Sequence, residues 1–315
     1  MKSFLRQAFL RGGGKSGTGT CPLMWLEPGC TFTRRIWRRA QWWNGRIRLH
    51  GQPYCASECF EHAAGRRFAR LCAPAPPELP VQHRIPLGLL MLARGQLTNH
   101  QLHLALEAQK RSGRGRIGEW LETFGFASEP QITSALGVQW ACPVFASSAM
   151  LDLAAARMLP YRLLASFRMC PVQFVERSRT MYVSFGEGVD HAALYAIEQM
   201  LECRTEPGLV GARVLDDFLE QLAGQRGAGD LLFESWRDPT DMARITCGYV
   251  RKFGAQDVRI VGLGSYIWAR LQAGKDAVNL LFRLPAVASG KPRGIRQTPS
   301  FLDSVSAKAN PAASR

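Results

Sequence analysis

No apolar run in this sequence approaches the roughly 20 residues that a membrane-spanning helix needs. The opening MKSFLRQAFLRGGGK also lacks the apolar stretch and cleavage site of a secretory signal. A cytosolic chain is the expectation. Acidic residues are scarce: 25 Asp and Glu stand against 40 Lys and Arg, leaving a formal charge of +15. That balance argues against a cationic ligand and for an anionic one, such as nucleic acid, phospholipid or a phosphorylated molecule.

Catalytic constellations are missing as well. Gly14-Lys15-Ser16 looks like the end of a phosphate loop, but the pattern GxxxxGK[ST] requires Gly where Phe9 stands. The run GGGKSGTGT therefore reads as a linker within a flexible tail over 1–20. No paired carboxylates and no nucleophile with a base emerge, so no enzyme is expected. His191, at a helix start, reads as a capping or surface residue. Cys-x-x-Cys knuckles are absent too, although the chain has nine Cys.

What is present begins with an uneven head. From Met1 to Cys72 there are thirteen Lys and Arg against three Glu, a net +10 of the total +15. Residues 21–72 form a Cys-rich basic segment with Cys21, Cys30, Cys55 and Cys59, and with His50 and His62 as further donors. Two readings stand: four soft donors closing a tetrahedral structural zinc site, which would help so small a segment fold, or reduced, unliganded thiols. The flanking G-x-x-Y-C-x-x-x-C-F is similar to treble-clef zinc modules. Between the Cys pairs, TRRIWRRAQWWNGRIRLH interleaves Arg with Trp. Arg attracts phosphate and Trp offers a stacking face, so nucleic-acid binding through the head is an alternative function. A solvated basic face on a zinc ribbon is the plainer account.

The Pro-rich stretch 73–82 marks a linker. Beyond it lies an internal duplication. PLGLLMLARGQLTNHQLHLALEAQ overlays RIGEWLETFGFASEPQITSALGVQ at a constant offset of 30, matching Gly88 with Gly118, Gly95 with Gly125, Leu102 with Ile132, Leu106 with Leu136 and Gln109 with Gln139. Each copy carries a capping box, Thr98 with Gln101 and Ser128 with Gln131, predicting a well-started second helix. Gly95 and Gly125 suit the left-handed turn that ends each first helix, and Pro86 suits a first helical position. Two copies are too few for a solenoid, so a closed pair over 83–150 is expected. Residues 151–224 then read helix, strand, strand, helix, strand, helix, with CPVQFV and TMYVSF as the paired strands. Residues 229–285 open with Asp238 as N-cap and Pro239 at the first helical position, a helix to about Phe253, and strands around Val258, Trp268 and Leu281. The polar, basic stretch 286–315 reads as a disordered tail. The fold class expected is α+β and multidomain: a small helical bundle of a duplicated helix pair followed by two small α/β segments, behind a Cys-rich head.

The duplicated R-[LI]-G-x-x-L-x-x-x-G followed by L-x-x-x-L-x-x-Q resembles the N-terminal region of the type II secretion and type IV pilus assembly ATPases. In the MshE-type branch of that family the two copies bind cyclic di-GMP. The resemblance implies ligand contacts at Leu87, Gly88, Leu102, Leu106 and Gln109 in the first copy. In the second it implies Arg116, Ile117, Gly118, Ile132, Leu136 and Gln139. Chemically this is sensible, since guanidinium pairs with phosphate or stacks on guanine and Gly lets backbone approach. The first copy departs from the family: Pro86 stands where the pattern has Arg, with Arg84 nearby, and Phe126 and Ala127 alter the second turn. The plainer alternative makes the Gly residues caps and the Leu residues core.

Downstream, FGAQDVRIV resembles the GASDIHIE landmark of the same family's pre-motor domain, with Gln256 for Ser and Arg259 for His. The resemblance runs from about His83 to Pro285. It implies a RecA-like motor next, yet these 315 residues carry no phosphate loop, so a motorless relative without an ATP site is expected. Its implied role is regulation or docking to a secretion or pilus inner-membrane platform protein, with peripheral association at the inner membrane through that partner. Cys72, Cys142, Cys170, Cys203 and Cys247 read as buried, inert thiols.

Overall fold

The computed structural model describes residues 47–54, 56–73, 84–145, 151–224 and 230–285. The expected N-terminal tail, most of the linker, the basic C-terminal tail and the head up to residue 46 lie outside the described residues.

Four short helices make the duplicated pair: α2 (Leu87–Ala93), α3 (Asn99–Ser112), α4 (Ile117–Thr123) and α5 (Glu129–Trp140). Both predicted capping boxes form, Thr98 with Gln101 at the start of α3 and Ser128 with Gln131 at the start of α5. The first helix of each copy closes in the same way. Gln96 N–H donates to Met91 O and Phe126 N–H to Leu121 O, both at 2.9 Å, around Gly95 and Gly125 in the left-handed conformation. Pro86 stands one place earlier than expected, as the residue capping α2 with extended backbone rather than within its first turn. The pair has its own small core of Leu87, Met91, Leu97, Ala105, Leu121, Ala127, Ile132 and Ala135.

The second segment is built on a four-stranded sheet in the order β3 (Val144–Phe145), β6 (Arg204–Val210), β5 (Thr180–Phe185), β4 (Met169–Val175). β4 and β5 form the expected antiparallel hairpin, while β5 and β6 run parallel and are joined through α8 (His191–Leu201). The single helix expected before β4 is two short ones, α6 (Leu153–Ala156) and α7 (Tyr161–Ser166), separated by Pro160. α9 (Ala212–Gly224) covers the sheet with Leu215, Phe218, Leu219 and Leu222.

The third segment is a six-stranded sheet, β2 (Gln52–Pro53), β1 (Arg48–Leu49), β8 (Asp257–Leu263), β9 (Tyr266–Ala273), β10 (Asp276–Arg283), β7 (Asp230–Phe233). Its three central strands and the helix α10 (Pro239–Phe253), capped by the Asp238 carboxylate on Asp241 N–H, are those predicted. β7 and the β1–β2 pair are additions. Both outer partners run parallel to the central strands they join, so they come from distant chain rather than from hairpins.

The head expected over 21–72 does not remain separate where it is described. Residues 48–49 pair with Asp257 and Val258, and α1 (Ser57–Cys72) packs along α10 on one face of the six-stranded sheet. The reason is hydrophobic. Phe60, Ala63, Ala64 and Phe68 fall on one helical face and are essentially excluded from water. Phe68 meets Phe282 edge to face with ring centroids 5.4 Å apart, and Phe282 stacks on Phe233 at 5.0 Å. The opposite face of the sheet, through Val261, Leu263, Tyr266, Trp268 and Leu281, shares one continuous core with the second segment. The described residues thus form an α+β structure in which 47–73 is an integral layer of the third segment. Among them no helix is long and apolar enough to cross a membrane.

His50 completes the junction. Backbone pairing of β1 with β8 ends with His50 N–H donating to Val258 O at 2.8 Å, and the chain turns at Gly51. The imidazole then takes over: Nε2 lies 2.9 Å from Ile260 N and 3.0 Å from Ile260 O. Burial foremost, then the Arg67 guanidinium, holds the ring below its ordinary value, and a neutral ring with a bare Nε2 accepts the Ile260 N–H.

Candidate functional site

The two copies of the repeat close on each other by exchange. α3 of the first copy packs on α4 of the second, and α5 of the second packs on α2 of the first. The Gln residues fasten this crossing. Gln109 Nε2 donates to Gly115 O at 2.9 Å, and Gln139 Nε2 donates to Ile85 O at 2.6 Å. Donor and acceptor are both offset by the same 30 residues, so the pair has pseudo-twofold symmetry. Each Gln thereby holds the entry to the other copy's first helix.

The glycines are explained by close approach. A Cβ at Gly88 would stand 2.4 Å from Leu102 Cδ1, and one at Gly118 would stand 3.1 Å from Ile132 Cγ2. Gly88 and Gly118 admit the opposing side chain of their own copy's second helix, which is why Leu102 and Ile132 are buried. Of the residues assigned to ligand contact, Leu87, Gly88, Leu102 and Ile132 are buried. Gln109, Ile117, Gly118, Leu136 and Gln139 are half-buried, and Leu106 and Arg116 are exposed.

Symmetry breaks where the pair meets the second segment. Leu136 packs against both cores, whereas its counterpart Leu106 remains 46% exposed. Arg116 reaches across that junction, Nη2 lying 2.7 Å from Glu187 Oε2 in the β5–α8 loop. Arg213 makes the companion contacts, to Glu122 at 2.7 Å and Glu129 at 3.4 Å. Glu187 also faces Arg168, whose guanidinium is paired with Asp216. On the first-copy side, the Arg84 guanidinium sits 3.5 Å above the Trp140 ring, and Trp140 lies against Gly188, where an added Cβ would come within 2.8 Å. The two arginines flanking the repeat entries, Arg84 and Arg116, therefore converge on one loop, 186–188. Sequence reading passed over Glu187, Trp140 and Arg213, because nothing local distinguishes a loop carboxylate that meets an arginine 71 positions away in sequence.

Elsewhere, a cleft of about 300 Å³ is lined by Arg179, Arg259, Arg270, Lys275, Glu202 and Asp257 among others. Most of that charge is already in use. Arg179 donates to the Leu201 and Glu202 carbonyls at 2.6 and 2.9 Å, and Arg259 donates to Gln199 O at 3.0 Å and pairs with Glu202 and Asp257. These guanidinium groups neutralise the carbonyl end of α8 and clamp it to β8. Arg270 is buried deeply enough to be pushed down to about 10, with Asp230 opposing the shift.

Cys59 lies on α1, whereas Cys21, Cys30 and Cys55 fall outside the described residues. Among the described residues no group of three or more His, Cys, Asp or Glu is placed to hold a metal ion. His50, an alternative donor, has its Nε2 engaged with the Ile260 backbone. Of the thiols read as buried, Cys170, Cys203 and Cys247 are so, while Cys72 and Cys142 are half-buried.

No protein-family model matches this sequence, and no curated protein matches it. Among solved structures, one described as MshE with cdg shows 27% identity at a TM-score of 0.39, covering 44% of this chain and 99% of that one. Two crystal forms of the N-terminal domain of XpsE show 20% and 21% identity at TM-scores of 0.35 and 0.27. They cover 45% and 44% of this chain and 98% of theirs. At such TM-scores the superpositions by themselves establish neither a common fold nor a common ligand.

Proposed function

We propose that this chain is a non-enzymatic regulatory or docking module, akin to the N-terminal region of secretion and pilus ATPases, whose duplicated helix pair binds cyclic di-GMP. The observation that carries this reading is the pseudo-twofold closure of the pair by Gln109 and Gln139, with Arg116 at its seam and its side chain 62% accessible. Cyclic di-GMP has two equivalent halves, and a duplicated surface offers each half the same kind of contact. Arg116 supplies the charge for a phosphate or the plane for a guanine, and exposed Leu106 supplies apolar surface for a base. The crossing Gln amides sit beside the helix entries.

Departure from twofold symmetry sets the affinity. Pro86 contributes no guanidinium, and Arg84 is engaged on Trp140. Loss of one bidentate arginine costs about 2 kcal/mol, so affinity should stand roughly thirtyfold below that of a site with both arginines.

The docking side of the proposal is supported by exposed apolar residues on the same pair. Ile85, Leu89, Leu106, Phe124 and Val138 are all 42% to 63% exposed. Apolar side chains so concentrated on one small unit suit contact with a secretion platform protein.

Calorimetric titration of the full chain with cyclic di-GMP tests the ligand reading. Saturable binding that Arg116→Ala weakens by about tenfold or more is the expected result. Absence of heat at high micromolar ligand overturns it.

A further inference from the structure

We propose that Glu187 is a two-position carboxylate that competes with the ligand for Arg116 and reports ligand binding to the second segment. This inference rests on the ligand reading above.

The starting position is the ion pair between Arg116 Nη2 and Glu187 Oε2 at 2.7 Å. Both side chains are open to solvent, 62% and 37%, so a dissolved anion has access to the guanidinium that Glu187 now occupies. A carboxylate on that guanidinium presents the same charge and oxygen geometry as one phosphate edge. Glu187 thus acts as an internal stand-in for the ligand, and bound ligand must displace it.

The second position is already prepared. Arg168 Nε is shielded from water and, among the described residues, has no hydrogen-bond acceptor. Glu187 Oε1 stands 3.7 Å from it, too far for a hydrogen bond and near enough that a shift of about 1 Å would make one. A buried donor without an acceptor is costly, and a shift of Glu187 toward Arg168 would supply one. The carboxylate is therefore shared between two arginines, bonded to Arg116 through Oε2 and only approaching Arg168 through Oε1. When phosphate takes Arg116, Glu187 is released to turn toward Arg168, and that bond offsets a small part of the lost ion pair. That difference in contacts between the two arrangements is what a ligand needs in order to shift an equilibrium.

Both neighbours of Glu187 are closely packed, so a shift of the carboxylate is felt by the surrounding elements. Glu187 sits between Gly186, packed on Leu215 of α9, and Gly188, packed on Trp140 beneath Arg84. Two residues later Asp190 caps α8 by accepting Ala193 N–H at 2.9 Å. Any backbone adjustment that accompanies the shift would reach both the Trp140 contact and the start of α8.

The test compares full-length wild type, Glu187→Gln and Glu187→Ala in cyclic di-GMP titrations, with amide exchange of residues 186–191 measured with and without ligand. An exposed ion pair of this kind restrains Arg116 by roughly three- to fivefold in affinity, so Glu187→Ala should bind tighter by that factor and Glu187→Gln by a smaller one. Ligand should speed exchange at 186–191 in the wild type and leave it unchanged in Glu187→Ala. Wild-type binding with no gain in either variant overturns the switch and leaves the ligand reading standing. Absence of binding in all three proteins overturns both.

Discussion

The side-chain amide of Gln139 donates to the carbonyl of Ile85 at 2.6 Å, joining the end of the second repeat to the entrance of the first. Its counterpart, Gln109 to Gly115 O, makes the same bond in the other direction. Each is expected to contribute about 0.5–1 kcal/mol, since water replaces a bond to an exposed carbonyl at modest cost. Gln109→Ala and Gln139→Ala should each lower the stability of the pair by that amount in denaturant titrations. Pseudo-symmetry predicts losses of similar size, and a large inequality would show that one bond dominates the crossing.

Gly88→Ala and Gly118→Ala should differ sharply. At Gly88 the new methyl would stand 2.4 Å from Leu102 Cδ1, and Leu102 is buried, so repacking costs about 1–3 kcal/mol. At Gly118 the distance to Ile132 Cγ2 is 3.1 Å, a strain that the roughly 1 kcal/mol gain in helix propensity largely offsets. Thermal melts should show Gly88→Ala clearly destabilised and Gly118→Ala near wild type. Trimming Leu102 to Ala should narrow the gap in the double variant.

His50 gives the junction of β1 with β8 a pH dependence. Its folded value lies below the ordinary 6.5, chiefly through burial, so the unfolded chain takes up the proton first as pH falls. This contribution to stability is whole above pH 6.5 and is lost as pH falls from there toward the folded value. Stability measured from pH 8 to 5 should decline on this limb. His50→Ala should flatten the limb and cost about 1 kcal/mol at pH 8, because Ile260 N–H loses its acceptor.

Two thiols should resist alkylation. Burial pushes Cys170 up to about 11, against its hydrogen bond with Ser184, and pushes Cys203 up to about 11 as well. At pH 8 both are held as thiols, whereas the half-buried Cys59, Cys72 and Cys142 have solvent contact. Peptide mapping after iodoacetamide should find Cys170 and Cys203 labelled only on unfolding. Because both values are raised, their contribution to stability is present below pH 9 and is lost as pH rises from 9 through 11.

Much of this architecture could be read along the chain because its signals are local. Capping boxes at Thr98 and Ser128, turn glycines at 95 and 125, the Asp238-Pro239 start and the alternating strands β4, β5, β8, β9 and β10 all depend on neighbours within a few residues. The 30-residue repeat likewise announced a closed pair. Less legible was the fate of 47–73. Cys55 and Cys59 drew attention to metal chemistry, although Phe60, Ala64 and Phe68 at fourfold spacing already marked a helix with a buried face. The four-residue β7 and two-residue β1 escaped notice because strands so short carry almost no periodicity.

The candidate site divides along the same line. Sequence by itself determined which residues the two copies share, whereas the part that Gly88, Gly118, Gln109 and Gln139 play in bringing the helices together came from the structure. Tertiary structure alone decided that the copies are not equivalent. Packing of the second copy on the α/β segment covers Leu136 and leaves Leu106 exposed, and it sets Arg116 against Glu187. Those outcomes depend on contacts between residues far apart in the chain. Charge attraction and apolar burial act through space, and the repeat pattern holds no record of what will stand opposite each copy.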